Sequence, residues 1–298
     1  MSVEPVEDSV LKGIIFMMLA FLVFTGIDTS AKWLALAGLA PMQIVFVRYA
    51  GHALVSLTLE LPREGRALFH SESIKLEFLR GIFLLGSTVC NFTAVKYLSL
   101  TLTTAIFFTG PLIVCALSIP LLGEKVGPRR WAAIIVGFIG VLVAIRPWSA
   151  EFHWAILFSV GAVTMASVYM VLTRRLAGVD SAATQQFYAA TLATVLIAPV
   201  ALMNWSWPAD ATSWLAFCLI GVLGWGGHQL LVMAHRCAPA STLAPFVYVQ
   251  IIYMTASSWI IFHQPPEGWH IVGAGIILCS GLYVWMREKT LKSEESEG

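Results

Sequence analysis

The chain has 298 residues, of which 58% are hydrophobic and 12% charged, against roughly 25% charged in a soluble globular domain. Its formal net charge of +1 implies no nucleic-acid partner. The five cysteines (Cys90, Cys115, Cys218, Cys237 and Cys279) are widely spaced within apolar runs and form no C-x-x-C pair, so they read as small hydrophobes rather than as a metal centre or redox couple.

A helix needs about 20 apolar residues to cross a hydrocarbon core. Ten runs approach that length, at residues 12–34, 41–60, 80–98, 101–122, 130–147, 152–174, 184–203, 213–235, 239–262 and 268–287. Between them stand breakers such as "LPREGR", "RPWSAEF", "NWSWPAD" and "QPPEG". The runs are continuous and about twice as long as a barrel strand, which predicts an all-α, polytopic membrane protein with ten transmembrane helices. The first run follows the acidic "MSVEPVEDS" and lacks an A-x-A site, so it is expected to persist as a helix rather than to be removed as a signal peptide.

Orientation follows from the basic residues. With a cytoplasmic N-terminus, the inner segments hold Lys12; Arg63, Arg66, Lys75 and Arg80; Lys125, Arg129 and Arg130; Arg174 and Arg175; Arg236; and Arg287, Lys289 and Lys292. The outer ends keep Lys32, Lys96 and Arg146, and Arg48 falls inside the second run. Both termini are therefore expected in the cytoplasm.

Sliding the sequence by 140 residues sets Gly38 on Gly178, Gly81 on Gly221, Gly86 on Gly226, Ala94 on Ala234 and Lys96 on Arg236. After a two-residue deletion, Trp131 meets Trp269 and Gly137 meets Gly275. The expected domains are a five-span repeat over 1–148 and a second over 149–298 with a short cytoplasmic tail. Because five is odd, the second repeat enters the membrane inverted. The inversion accounts for a charge contrast: "GEKVGPRRW" (123–131) faces the positive inside, whereas its counterpart "HQPPEGW" (263–269) faces out.

The stretch "YLSLTLTTAIFFTGPLIVCALSIPLLGEKVGPRRWAAIIVGFIGVLVA" carries a mid-helix Pro111, a Leu-Gly-Glu at 122–124 and a following glycine-spaced helix. With the ten-span pattern and the repeat of five, it resembles the EamA type of the drug/metabolite transporter superfamily. The second copy, "APASTLAPFVYVQIIYMTASSWIIFHQPPEGWHIVGAGIILCSGLY", is similar along its length but has Phe262-His263-Gln264 where such repeats commonly read Gly-Glu. The resemblance implies secondary transport of small metabolites by alternating access across a bacterial inner membrane, frequently as export of amino acids or amphipathic compounds. An aromatic amino acid is the first substrate expectation; the alternative is uptake of a vitamin- or nucleoside-like metabolite. The expected partners are a small-molecule substrate and membrane lipid, and no oligomeric state is implied.

Other classes find no support in the residues. No G-x-x-x-x-G-K-[ST] loop is present, and no nucleophile–base constellation marks an enzyme. The tail "EKTLKSEESEG" is too short and charged for a sensory output domain. No cofactor is implied, and His228 and His235 stand too far apart on one helix to share a metal.

Polar groups at membrane depth are the site candidates, because each unpaired charge there costs about 2.5–3.5 kcal/mol on insertion scales. Arg48 reads either as a clamp for a carboxylate or phosphate or as a structural partner of Asp28. Asp28 also stands four residues before Lys32, the spacing of a local ion pair, with proton coupling as its functional alternative. His52 lies one turn beyond Arg48, and His228 and Asn91 fall near each other in the repeat register; each reads as a ligand or as an interhelical hydrogen-bonding group. Gly110 and Pro111 in "FFTGP" predict a hinge or a freed carbonyl. Phe107, Phe108, Tyr169, Tyr188, Trp225 and Tyr248, with Gln250, suit an aromatic-walled pathway or simple core packing, Tyr248 matching Phe108 in the register and Tyr188 matching Arg48.

Overall fold

A computed structural model describes residues 6–122, 128–146, 152–176, 179–238 and 243–297. Among these, every regular element is helical: α1 (Val6–Leu36), α2 (Pro41–Glu64) with a 3-10 turn (Gly65–Phe69), α3 (Ile74–Tyr97), α4 (Leu100–Phe107), α5 (Gly110–Leu122) and α6 (Pro128–Ile145). The second half supplies α7 (Ile156–Leu176), α8 (Ala182–Met203), α9 (Ala211–Cys237), a 3-10 turn (Ala244–Tyr248), α10 (Val249–Ile260) and α11 (Gly268–Glu297). Six stretches, Val10–Leu36, Pro41–Phe69, Ile74–Tyr97, Ile156–Thr173, Ala182–Met203 and Ala211–Cys237, are long and apolar enough to cross a membrane. Four shorter apolar ones, Leu100–Val114, Ile135–Ile145, Phe246–Ile260 and Gly268–Ser280, fall on the remaining expected runs.

The outward surface fits a hydrocarbon solvent. Met203 is 78% exposed, Ile260 72% and Phe138 61%, and apolar exposure on this scale marks a membrane or partner surface rather than a water-facing one. Three details differ from the sequence reading. The third span begins at Ile74 rather than at 80, which moves Arg80 from the first position of the run into the body of a helix. The fourth span is two helices, α4 and α5, interrupted at Phe108 and Thr109; Pro111 supplies no amide to the Phe107 carbonyl, and the Thr109 hydroxyl donates to the Ile106 carbonyl at 2.7 Å. Its counterpart in the second repeat also breaks, at the 3-10 turn holding Pro245. Residues 123–127, with most of the basic "GEKVGPRRW" loop, lie outside the described residues.

The chain forms two compact units, and each draws on both halves of the sequence. The first comprises residues 1–22, 100–152 and 227–298, and the second 23–99 and 153–226. In the second unit α2 runs antiparallel to α8. Gln43, at the start of α2, donates to the Ser206 carbonyl beyond the end of α8, while Thr184, at the start of α8, donates to the Ala67 carbonyl beyond the end of α2. In the same unit α3 runs antiparallel to α7: Ser71 and Glu72 bond to Asp180, and at the other end Tyr97 stacks on His153 at 5.4 Å.

In the first unit α6 runs antiparallel to α11. A Cβ on Gly273 would stand 2.6 Å from the Gly140 carbonyl oxygen, and the Arg146 guanidinium lies 5.4 Å from the Trp269 ring centroid. Small residues of this kind let backbones approach where lipid removes any hydrophobic drive for helix association. In the 140-residue register α2 corresponds to α8, and after the two-residue deletion α6 corresponds to α11. Equivalent helices that lie antiparallel are what inverted repeats produce within each unit.

Candidate functional site

The second unit gathers polar side chains from α1, α2, α3 and α9. Arg48 is 8% exposed, and its Nη1 donates to the Thr88 hydroxyl at 3.1 Å. Thr88 also meets the Tyr49 hydroxyl at 2.7 Å and donates to the Leu84 carbonyl at 3.0 Å. The Arg48 guanidinium carbon lies 4.6 Å from the Tyr49 ring centroid and 5.8 Å from that of Phe92, so two ring faces shoulder its charge. Its Nε is buried with no hydrogen-bond partner.

Asp28 and Arg48 make no direct ion pair among the described residues, although Asp28 lies in the Coulomb field of the guanidinium. Asp28 instead accepts from Asn91 Nδ2 at 2.9 Å. The sequence reading of a direct pair is therefore corrected to two neighbouring, separately anchored charges. Lys32, read at an outer helix end and as a local partner of Asp28, is 1% exposed and donates to the Leu98 carbonyl. That carbonyl closes the C-terminus of α3, where a cation is favoured.

Glycines on α9 open this region. A Cβ on Gly221 would stand 2.5 Å from Gly51 Cα, so α2 and α9 cross backbone to backbone there. One turn on, a Cβ at Gly224 would meet His52 Nδ1 at 3.6 Å and Arg48 Cγ at 3.8 Å. Trp225 follows directly, and its indole Nε1 is buried with no hydrogen-bond partner. His52 is 4% exposed and lies against the same glycine turn.

Two aromatic candidates in this unit stand elsewhere. Tyr188 donates to the Phe69 carbonyl at 2.8 Å, at the opposite end of α2 from the site, so its register match to Arg48 does not bring the two together. Tyr169 faces Arg80, whose guanidinium carbon is 5.1 Å from its ring centroid. In the first unit, Phe108 and Tyr248 meet edge to face at 5.4 Å beside Val141 and Ile277. Residues equivalent in the repeat that touch one another lie at a local twofold, as the register implied. Phe107, Gly110 and Pro111 flank the helix break before α5; Gln250 and His228 are half-buried on α10 and α9.

The sequence reading missed Glu77 and Arg80, both nearly fully buried on α3 and joined at 3.4 Å. Their i,i+3 spacing was the available signal. It was hidden because Glu77 fell before the third run and Arg80 at its first residue.

Long apolar helices, antiparallel equivalents and buried polar groups at helix crossings define a multi-pass membrane transporter built from two repeats. The chain belongs to the EamA-like transporter family, whose model matches residues 11–146 and 153–286. It is 28% identical to a riboflavin transporter of Vibrio cholerae over 94% of this chain and 95% of that one. It is also 25% identical to an S-adenosylmethionine uptake transporter of Rickettsia prowazekii (96% and 97% covered) and 24% identical to a pseudopaline exporter of Pseudomonas aeruginosa (92% and 95% covered). A solved structure aligns with a TM-score of 0.62 at 17% identity, covering 96% of this chain and 99% of the other, a likeness of fold. These relatives are named for riboflavin, S-adenosylmethionine and pseudopaline, and both for uptake and for export, rather than for an aromatic amino acid.

Proposed function

We propose that the chain is a bacterial inner-membrane carrier, with both termini cytoplasmic, that moves a vitamin- or nucleoside-like metabolite by alternating access between its two inverted five-span repeats. The observation that carries the reading is the pair of buried donors, Arg48 Nε and Trp225 Nε1, that lack acceptors in the second unit. Leaving a buried donor unsatisfied costs about 1–3 kcal/mol, so a ligand that brings ring carbonyls, ring nitrogens or an anionic group is bound there with gain. Tyr49 and Phe92 back the Arg48 guanidinium, Trp225 would offer ring surface to a planar heterocycle, and Asp28, held by Asn91, would discriminate by charge. The aromatic groups Phe108 and Tyr248 line the pathway in the first unit, and the α4–α5 break at Gly110 and Pro111 is its hinge.

The named cargoes of the riboflavin and S-adenosylmethionine relatives share a planar nitrogen heterocycle and support this class over an aromatic amino acid. The test is counterflow in proteoliposomes loaded with riboflavin, S-adenosylmethionine, adenosine or tryptophan. Saturable exchange of one of the first three is expected. Exchange of tryptophan alone would reverse the reading.

A further inference from the structure

Glycines along α9 differ in what they face. In the 140-residue register Gly221 falls on Gly81 and Gly226 on Gly86, so glycine at those positions is common to both repeats. Gly224 falls on Leu84, and only the second repeat omits a side chain there. The packing differs in the same way. At Gly221 the α2 backbone itself closes the space, and around Gly226 an added Cβ would meet nothing within 4 Å. At Gly224 the neighbours are polar side chains of α2: an added Cβ would lie 3.6 Å from His52 Nδ1, 3.8 Å from Arg48 Cγ and 3.9 Å from Arg48 Nε.

These are ordinary contact distances, so the missing side chain leaves a gap one atom deep between α9 and the two α2 side chains. Arg48 Nε borders that gap, and it is a buried donor without an acceptor on a side chain that is 8% exposed. The guanidinium is not free to turn toward another acceptor. Its Nη1 donates to Thr88 at 3.1 Å, and the Tyr49 and Phe92 rings stand 4.6 and 5.8 Å from its carbon. An acceptor for Nε therefore has to come to Gly224, where the absence of a Cβ lets a ligand approach the helix backbone. Depth selects the kind of acceptor. A carbonyl oxygen or ring nitrogen at the edge of a flat heterocycle is one atom thick, whereas a tetrahedral phosphate is not.

We propose that Gly224 is a specificity-determining position of the carrier: a ring carbonyl or ring nitrogen of the substrate lies against it, accepts from Arg48 Nε and sets the adjoining ring edge beside His52. This rests on the carrier reading above and narrows it, because it makes the flat edge of the heterocycle, and not a phosphate, the group that Arg48 grips. A side chain at Gly224 would take the place of that edge.

The experiment is isothermal titration of the purified chain in nanodiscs with two ligand pairs, adenosine with its monophosphate and riboflavin with its phosphate. Gly224→Ala adds a methyl at ordinary contact distance, so it should melt no lower than the wild type while raising Kd about tenfold or more, as expected when a charged donor loses its acceptor. The loss should be equal for the free and the phosphorylated member of whichever pair binds. Gly226→Ala, the same change where no neighbour stands within 4 Å, should bind as the wild type does. Combined with Arg48→Lys, the loss from Gly224→Ala should not add, because both changes remove one contact. Wild-type affinity in Gly224→Ala, an equal loss in Gly226→Ala, additive losses, or a loss confined to the phosphorylated ligand overturns the proposal. If Gly224→Ala does not fold, Arg48→Lys decides on the same pairs: equal losses support the ring edge, and a loss confined to the phosphorylated ligand rejects it. If tryptophan binds and neither pair does, the heterocycle reading fails. A loss of tryptophan affinity in Gly224→Ala then still places an acceptor at Gly224, and no loss rejects the gap as well.

Discussion

At the scale of single residues, the proposed function makes substrate binding turn on Arg48. Thr88, Tyr49 and Phe92 hold its guanidinium by one hydrogen bond and two ring faces, leaving Nε free to bind. Arg48→Lys keeps the charge but removes the planar fork and stacking face. It should give folded protein with a Kd for substrate raised about tenfold or more, the equivalent of about 1.4 kcal/mol, measured by isothermal titration. Unchanged affinity would make Arg48 a structural group only. Trp225→Phe keeps the ring and deletes the N–H; it should weaken binding by less than the Arg48 change, since a single neutral hydrogen bond is worth about 0.5–1.5 kcal/mol.

The residue scale is also where the sequence was least legible. Arg48 is conspicuous as a charge within an apolar run, and Asp28, Asn91 and His52 could be named by depth. Their partners could not, because Thr88 and Phe92 are ordinary residues in an apolar helix until α2 and α3 are docked. Tyr188 failed for the same reason: register equivalence relates residues by symmetry, and symmetry mates touch only beside the axis, as Phe108 and Tyr248 do.

At the scale of elements, two glycines on α9 separate packing from flexibility. Gly221→Ala would push a methyl into the Gly51 backbone, whereas a methyl on Gly226 would meet nothing within 4 Å. Overpacking of the first kind costs about 1–3 kcal/mol; the second should gain up to about 1 kcal/mol of helix propensity. Thermal unfolding should therefore place Gly221→Ala below the wild type and Gly226→Ala at or above it. Equal losses would refute the close crossing.

The start of α9 gives a pH prediction. The Ser213 hydroxyl donates to Asp210 at 2.6 Å and its amide at 2.9 Å, and these bonds hold the Asp210 carboxyl below its ordinary range. A depressed carboxyl stabilises the fold above its unfolded pKa of about 3.9, and that contribution fades as pH falls through the lower folded value. The melting difference between wild type and Asp210→Ala should thus be constant at neutral pH and vanish in acid. A difference that persists below about pH 2 would assign it to something other than the carboxylate cap. The ten runs were readable from hydropathy. The earlier start of α3 was not, since Glu77 and Arg80 neutralise each other only once the helix has formed.

At the scale of the whole molecule, the sequence carried the repeat but not the way its parts are grouped. A 140-residue register says which helices are equivalent, and the odd number of spans says they are inverted. It does not say that the compact units cut across the repeats, each collecting equivalent helices from both. That grouping follows from contacts between distant segments: Gln43 with Ser206, Thr184 with Ala67, and the Gly140–Gly273 approach. A carrier that must present one site to two sides needs such an antiparallel arrangement, because each half then offers the conformation that the other lacks.

Glu72 and Thr212 are equivalent in the repeat, and each lies exposed at the start of its third span. With the native cysteines replaced, a single cysteine at either position can be labelled by an impermeant maleimide in intact cells and in inverted vesicles. Inversion predicts that Thr212→Cys reacts from outside the cell and Glu72→Cys only from the cytoplasmic face. Labelling of both from the same face would contradict the inverted pair, and with it the alternating-access carrier.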